Sequence, residues 1–157
     1  KIFLIDFSDK FTKLAKHRFK KQNKIKIYKK DIRNIKFGKN IKFDRILFGS
    51  VLQYLNSHQE IENLFKALNF ISKKNVKILF THNPDILRKK NHLNSYKKLN
   101  WNKKRIIEVE KIENLRLWLN FKILKKISKE NNFKIKKINI DKNLYGSNHM
   151  FDFLIYK

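Results

Sequence analysis

KIFLIDFSDKFTKLAKHRF, residues 1–19, sets two hydrophobic patterns end to end. Residues 2–5 are consecutive apolar side chains that run into Asp6, the pattern of a short strand buried on both faces. From Asp9 the period changes. Phe11, Leu14, Ala15 and Phe19 recur at helical spacing, and Ser8 is placed to cap a helix over 9–21. A strand that leads at once into a helix opens a β-α unit, in which parallel strands are covered by helices. The carboxylate that ends the strand is the residue whose purpose needs explaining.

The same alternation continues outward. Residues 25–29 (IKIYK) read as a strand followed by Asp31, and 43–49 (FDRILFG) as a second buried strand followed by SVLQYLN. In SHQE (57–60) Ser57 can cap the amide three residues on while Glu60 reaches back, a capping box. Ile61, Leu64, Phe65, Leu68 and Ile71 then form one helical stripe, and VKILFT (76–81) is the next strand. Residues 83–113 are polar and basic, with Tyr96 and Trp101 as isolated aromatics, and predict no clear element. A helix is expected from near Leu115, with Trp118, Phe121, Leu124 and Ile127 on its stripe, ending at the Asn pair of ENNF. Strands over 133–140 and 149–157 close the chain, and their short connection makes the last one antiparallel.

This order predicts an α/β fold: a Rossmann-like, mostly parallel sheet, helices on both faces, and an antiparallel last strand. No linker, repeat or Pro/Ser-rich tail appears, so residues 1–157 are expected to form a single domain with an insert at about 83–113. The absence of cysteine excludes disulfides, thiolate metal sites and a cysteine nucleophile. No apolar run reaches the roughly 18 residues that span a bilayer, and a cytoplasmic protein is the expectation.

The formal net charge of +26 points towards nucleic acid or an anionic surface. A second explanation competes with it. Lys (33), Ile (21), Asn (19) and Phe (14) dominate while Gly (3), Ala (2) and Pro (1) are scarce, the skew an A/T-rich genome produces without selection for a partner. The cations are scattered along the whole chain, and only six are Arg, the better reader of bases and phosphates. Composition alone therefore favours no nucleic-acid partner.

In an open α/β sheet, ligands bind beyond the carboxyl ends of the strands. The residues there are Asp6-Phe7, Asp31-Ile32, Gly49-Ser50 and His82-Asn83. In order and spacing this series resembles the class I S-adenosylmethionine (SAM) dependent methyltransferases: a strand ending in Asp, a strand followed by Asp-Ile, FDRILFGSVLQYL, a capped helix leading to KKNVKILFT, and the closing helix, NNF turn and antiparallel strand. The resemblance covers the family's second to seventh strands.

It implies a cofactor site made of Asp6, Phe7, Asp31, Ile32, Gly49 and Ser50. Asp6 would accept both ribose hydroxyls, Phe7 would lie on the adenine, Asp31 would receive the adenine amino group, and the Ile32 amide would meet a ring nitrogen. Gly49 and Ser50 would lie near the methionine part. Gln53 and Tyr54 would face the methyl group or the acceptor, with His149 beside the acceptor as well, and the insert at about 83–113 and the 141–149 loop would grip the acceptor from the substrate side. His82 is the candidate base for an acceptor that must lose a proton.

Each assignment has a structural alternative. Asp6 can help cap the following helix, Asp31 can serve an ordinary turn, Gly49-Ser50 can be a plain strand-to-loop turn, and Phe7 and Tyr54 can be core aromatics. His17, His58 and His92 lie on polar helical faces and are expected to be exposed. HNPD (82–85) follows the wrong strand, and lacks the aromatic, to match the NPPY-type tetrapeptide of amino-group nucleic-acid methyltransferases. No His or carboxylate spacing suits a metal.

The chain departs from the family in one respect. The glycine-rich loop after the family's first strand has no counterpart, since Gly38, Gly49 and Gly146 are the only glycines. The expectation is a fragment without the first strand-helix unit, whose strand would lie between those at 2–6 and 43–49, and which alone binds SAM poorly. The acceptor is expected to be a small polar or anionic molecule, such as a metabolite or glycan. An RNA methyltransferase, or a non-catalytic basic nucleic-acid-binding module, is the alternative.

Overall fold

The computed structural model describes residues 1–38 and 40–157. Its elements are β1 (Ile2–Asp6), α1 (Asp9–Arg18), β2 (Ile25–Lys29), β3 (Phe43–Gly49), α2 (His58–Ile71) and β4 (Ser72–Pro84). They continue as α3 (Lys89–Tyr96), α4 (Lys103–Leu115), α5 (Phe121–Glu130), β5 (Lys134–Ile138) and β6 (Met150–Tyr156). Single 3-10 turns cover Ile32–Asn34, Leu52–Tyr54, Ile86–Arg88 and Tyr145–Asn148. The fold is α/β, with β1 parallel to β2, β3 parallel to β4, and β6 antiparallel to both its neighbours. This is the expected element order, including the antiparallel last strand.

The chain divides into two units, Lys1–Lys39 and Asn40–Lys157. In the first, α1 packs on the β1–β2 pair. Ser8 caps the helix by accepting the Phe11 N–H at 3.3 Å, as the sequence predicts. Phe3 stacks on Tyr28 at 5.9 Å between ring centres, and Phe37 meets Phe3 edge-on at 5.8 Å. Burial is shallow: Phe11 is 62% exposed and Leu14 60%. An open cleft of about 330 Å³ runs between the helix and the strands, lined by Leu4, Ile5, Phe11, Leu14, Phe19 and Ile27 among others.

The second unit holds the hydrophobic core, on a sheet of order β3-β4-β6-β5. Side chains of β6 alternate strictly, so Phe151, Phe153 and Ile155 are buried on one face. The α2 stripe is buried in full: Ile61, Leu64, Phe65, Leu68 and Ile71. Phe80 of β4 is the centre of an aromatic stack, 4.7 Å from Phe48, 4.6 Å from Phe153 and 5.7 Å from Phe65. The cap of α2 differs slightly from the expected box. Ser57 accepts the Glu60 N–H, but the Glu60 carboxylate takes the backbone N–H of Asn56, one residue further back, at 2.9 Å.

Two boundaries need correction. The segment from Leu115 to Leu119 is not the start of a helix; α4 ends at Leu115, Asn120 caps α5 by accepting the Lys122 N–H, and Trp118 lies in the extended link between them. The fourth predicted strand also runs on past Thr81 to Pro84, so His82 lies within β4 rather than after it.

Candidate functional site

At the carboxyl end of β1, Asp6 and Phe7 are both exposed, Phe7 by 71%. One Asp6 oxygen accepts the Ser8 N–H at 2.7 Å, which fixes the carboxylate and leaves the second oxygen without a partner among the described residues. Asp6 therefore braces the strand-to-helix turn without closing off its acceptor capacity. After β2, Asp31 is differently used. It caps the 3-10 turn through the Arg33 N–H at 2.9 Å, and both its oxygens bond the Arg33 guanidinium. The Arg33 side chain and backbone N–H hold its carboxyl below the ordinary value. These are the contacts of a turn aspartate. The half-buried Ile32 follows it with its N–H at the first position of the turn.

In the second unit, the carboxyl ends of the parallel strands β3 and β4 lie in register, Gly49 against Thr81. Ser50 follows with φ 55° and donates its N–H to the Thr81 carbonyl at 3.0 Å. His82 has φ 58°. It lies at a bulge: Phe80 pairs with Phe153 and Asn83 with Phe151, so Thr81 and His82 face Asp152 alone. The His82 N–H, displaced from the ladder, donates to the Asp152 carboxylate at 2.7 Å. The His82 residue is exposed. Left-handed backbone is costly outside glycine and gathers at functional sites, so two such residues on adjacent strand ends mark this edge. A Cβ on Gly49 would meet only Thr81 Oγ1, at 3.8 Å, which leaves its outer side open.

Gln53 is buried, and its amide NH₂ donates to the Ser50 carbonyl at 3.4 Å. That bond turns Oε1 the other way, where it is enclosed with no partner among the described residues. Tyr54, beside it, is 64% exposed and is not a core aromatic. The Gln53 carbonyl accepts the Leu117 N–H, Leu119 bridges Asp85, and the Asp85 N–H donates to the His149 carbonyl. One extended segment, 117–119, thus links the surroundings of Gln53 to those of His149.

His149 is part of a buried polar cluster that sequence reasoning missed. Its ring stacks on His92 at 3.7 Å, and His92 Nε2 is 2.7 Å from the Tyr96 hydroxyl. The Tyr96 hydroxyl also donates to Glu113 at 3.4 Å, and Glu113 pairs with Arg116 at 3.0 Å. Trp118 Nε1 donates to the Glu113 carbonyl at 2.8 Å. Burial pushes His149 down to about 4, helped by His92, Arg116 and Arg88, and pushes His92 down against the pull of Glu113. Burial, with Glu113 beside it, raises the Tyr96 phenol above its ordinary value. Both imidazoles are therefore neutral at pH 7. His92 was expected to be exposed and is buried instead, because its partners come from distant segments; His58 is half-buried with Nε2 enclosed, and His17 is exposed as expected.

The model of the family described as "Methyltransferase domain" matches residues 1–80. The chain belongs to that methyltransferase family. A comparison with curated protein sequences gives no match. Among solved structures, a SAM-dependent methyltransferase from Methanosarcina mazei aligns over 99% of this chain and 81% of its own, with TM-score 0.69 and 14% identity. The N-methyltransferase NodS from Bradyrhizobium japonicum aligns over 100% and 73%, with TM-score 0.68 and 13% identity. Magnesium protoporphyrin IX methyltransferase from Synechocystis, with bound SAH, aligns over 99% and 63%, with TM-score 0.66 and 12% identity. This methyltransferase domain thus has the class I SAM-dependent fold, and it spans between 63% and 81% of these three chains. SAM is the cofactor of that class. The residues present fit it in part: Asp6 keeps an unused oxygen and Phe7 an uncovered face, whereas Asp31 is engaged by Arg33.

No helix among the described residues is long and apolar enough to cross a membrane, and no group of His, Cys, Asp and Glu among them could hold a metal ion.

Proposed function

We propose that this methyltransferase domain transfers a methyl group from SAM to a small polar or anionic acceptor, in the cytoplasm. The observation that carries the reading is the Asp6-Phe7 pair: a braced carboxylate with an unused oxygen, next to an uncovered flat ring, at a strand's carboxyl end. Asp6 would accept the ribose hydroxyls, Phe7 would lie against adenine and the Ile32 N–H would meet a ring nitrogen, with Asp31 bracing that turn. Gly49 and Ser50 would border the methionine part. Bound SAM supplies a sulfonium methyl group open to displacement by a nucleophile.

The acceptor is then a matter of alignment. Gln53 Oε1, enclosed and without a partner among the described residues, would accept a hydrogen bond from an acceptor N–H or O–H. Tyr54 and His149 would flank it, and His82 would take a proton where the acceptor must lose one. Solved relatives that act on magnesium protoporphyrin IX and on plantazolicin, named compounds and not nucleic acids, support a small acceptor. We read residues 1–157 as one domain because the family match at 1–80 runs across the boundary between the two units.

Isothermal titration of the full-length protein carrying this chain with S-adenosylhomocysteine tests the reading. Binding that weakens at least about tenfold in Asp6→Ala, the loss of one charge-assisted hydrogen bond, is the expected result. Absence of heat in the wild type, or equal affinity in the variant, overturns it. The net charge of +26 motivates the second reading, RNA as acceptor or partner. It predicts RNA affinity that falls steeply with salt.

A further inference from the structure

The two helices of the 83–113 segment are held in an unusual way. The only buried residues of α3 are His92 and Tyr96, and the only one of α4 is Glu113. Large apolar side chains in and near the same segment face outward instead: Leu87 is 81% exposed, Ile107 52%, Ile112 54% and Leu115 85%. These helices are therefore docked by a titratable network and not by an apolar stripe. A net hydrogen bond contributes about 0.5–1.5 kcal/mol, so an element held by a few of them belongs to the least stable part of a fold.

The stacked pair closes the network onto the rest of the unit. His149 lies just before β6, and its carbonyl accepts the N–H of Asp85 at the end of β4. Around its ring are His92 of α3, Trp118 at 6.5 Å, and Tyr145 edge-on at 5.6 Å. The charged and titratable groups that face the pair are Tyr96 from α3, Glu113 from α4, Arg116 from the link after it, Arg88 from the turn before α3, and Tyr145 from the turn before β6. Arg88 also donates to the Ser147 carbonyl at 2.6 Å. Two imidazoles at 3.7 Å cannot both become cations there without repelling each other and the two guanidiniums.

We propose that α3 and α4 form a lid over the acceptor side, docked through the His92–His149 imidazole stack and opening as a unit when that stack is broken. This rests on the reading of the 83–113 segment as the acceptor side. The same reading assigns the lid to entry and exit of the acceptor, and its polar anchors make it openable without disturbing the phenylalanine core.

The sign of the pH dependence follows from the stack. Both histidines are neutral when docked and regain ordinary basicity when released, so opening takes up protons and becomes easier as pH falls below about 6.5. With His149 down to about 4, its release alone raises the opening constant about twenty-fold between pH 7 and pH 5. His92 adds in the same direction.

Hydrogen exchange of the full-length protein carrying this chain, corrected for intrinsic rates, tests this over that pH range. Peptides from α3 and α4 should lose protection about twenty-fold or more together, while β4 and β6 stay protected. His149→Phe keeps a ring to stack but cannot titrate, and should remove the roughly twenty-fold share of the lid's pH dependence that His149 supplies, leaving only that of His92. Lid peptides that follow β4 at every pH, or His149→Phe retaining the full dependence of the wild type, overturn the proposal. The titration with S-adenosylhomocysteine is read separately, so loss of the methyltransferase reading would show there and not in lid exchange.

Discussion

His82 occupies a position that suits glycine. At φ 58° its Cβ crowds the backbone, and a residue other than glycine there costs about 1 kcal/mol. The bulge persists because the Asp152 carboxylate holds the displaced His82 N–H. His82→Gly keeps that bond and removes the crowding, and should raise unfolding free energy in urea by about 0.5–1 kcal/mol while removing the imidazole from the strand end. A fall in stability would mean that the His82 side chain serves packing and not the site. At this scale the sequence showed where the site residues are but not their state. Asp6 and Asp31 read alike as strand-end carboxylates, yet one keeps an unused oxygen and the other is bound by Arg33 two residues on. Backbone strain at Ser50 and His82 has no signature in residue type, since neither is glycine.

At the scale of elements, the end of α5 illustrates local sequence control. Asn132 takes φ 61°, its N–H donates to the Lys129 carbonyl, and the Phe133 N–H donates to the Ser128 carbonyl at 2.9 Å. These two bonds make a Schellman end with asparagine in the glycine position. Asn132→Gly should stabilise by up to about 1 kcal/mol and Asn132→Val should destabilise by about the same or more, measured by urea unfolding. Strands and helices that bury apolar stripes were legible to within a few residues because periodicity reports burial. Helices α3 and α4 were not, because what they bury is His92, Tyr96 and Glu113, and a search for apolar spacing has nothing to find there. The apolar spacing at Trp118 misled in the opposite direction. The signals that corrected it are Asn102 and Asn120, each capping the helix that follows with its side-chain oxygen.

For the whole molecule, charge is the dominant feature. A net charge of +26 on 157 residues makes the folded state repel itself. Raising sodium chloride from about 0.05 M to about 0.5 M shortens the screening length from about 14 Å to about 4 Å, and should raise the unfolding temperature by several degrees. A melting temperature that does not move would show that the cations are already spaced beyond one another's reach. The edge strand β5 carries the exposed Lys134 and Lys136, cations that keep an open edge from pairing with another chain.

The buried cluster has a last consequence, for what can be seen in solution. The chain has two tryptophans, Trp118 among His92, His149 and Glu113, and Trp101 stacked on Tyr96 under the Arg105 guanidinium. The sheet core is phenylalanine, which contributes little to emission at tryptophan wavelengths. Intrinsic fluorescence of this chain therefore reports on the lid and is nearly blind to the sheet beneath it. An emission change on acidification that precedes any loss of far-ultraviolet dichroism is the opening of two helices, and should not be taken for the unfolding of the domain.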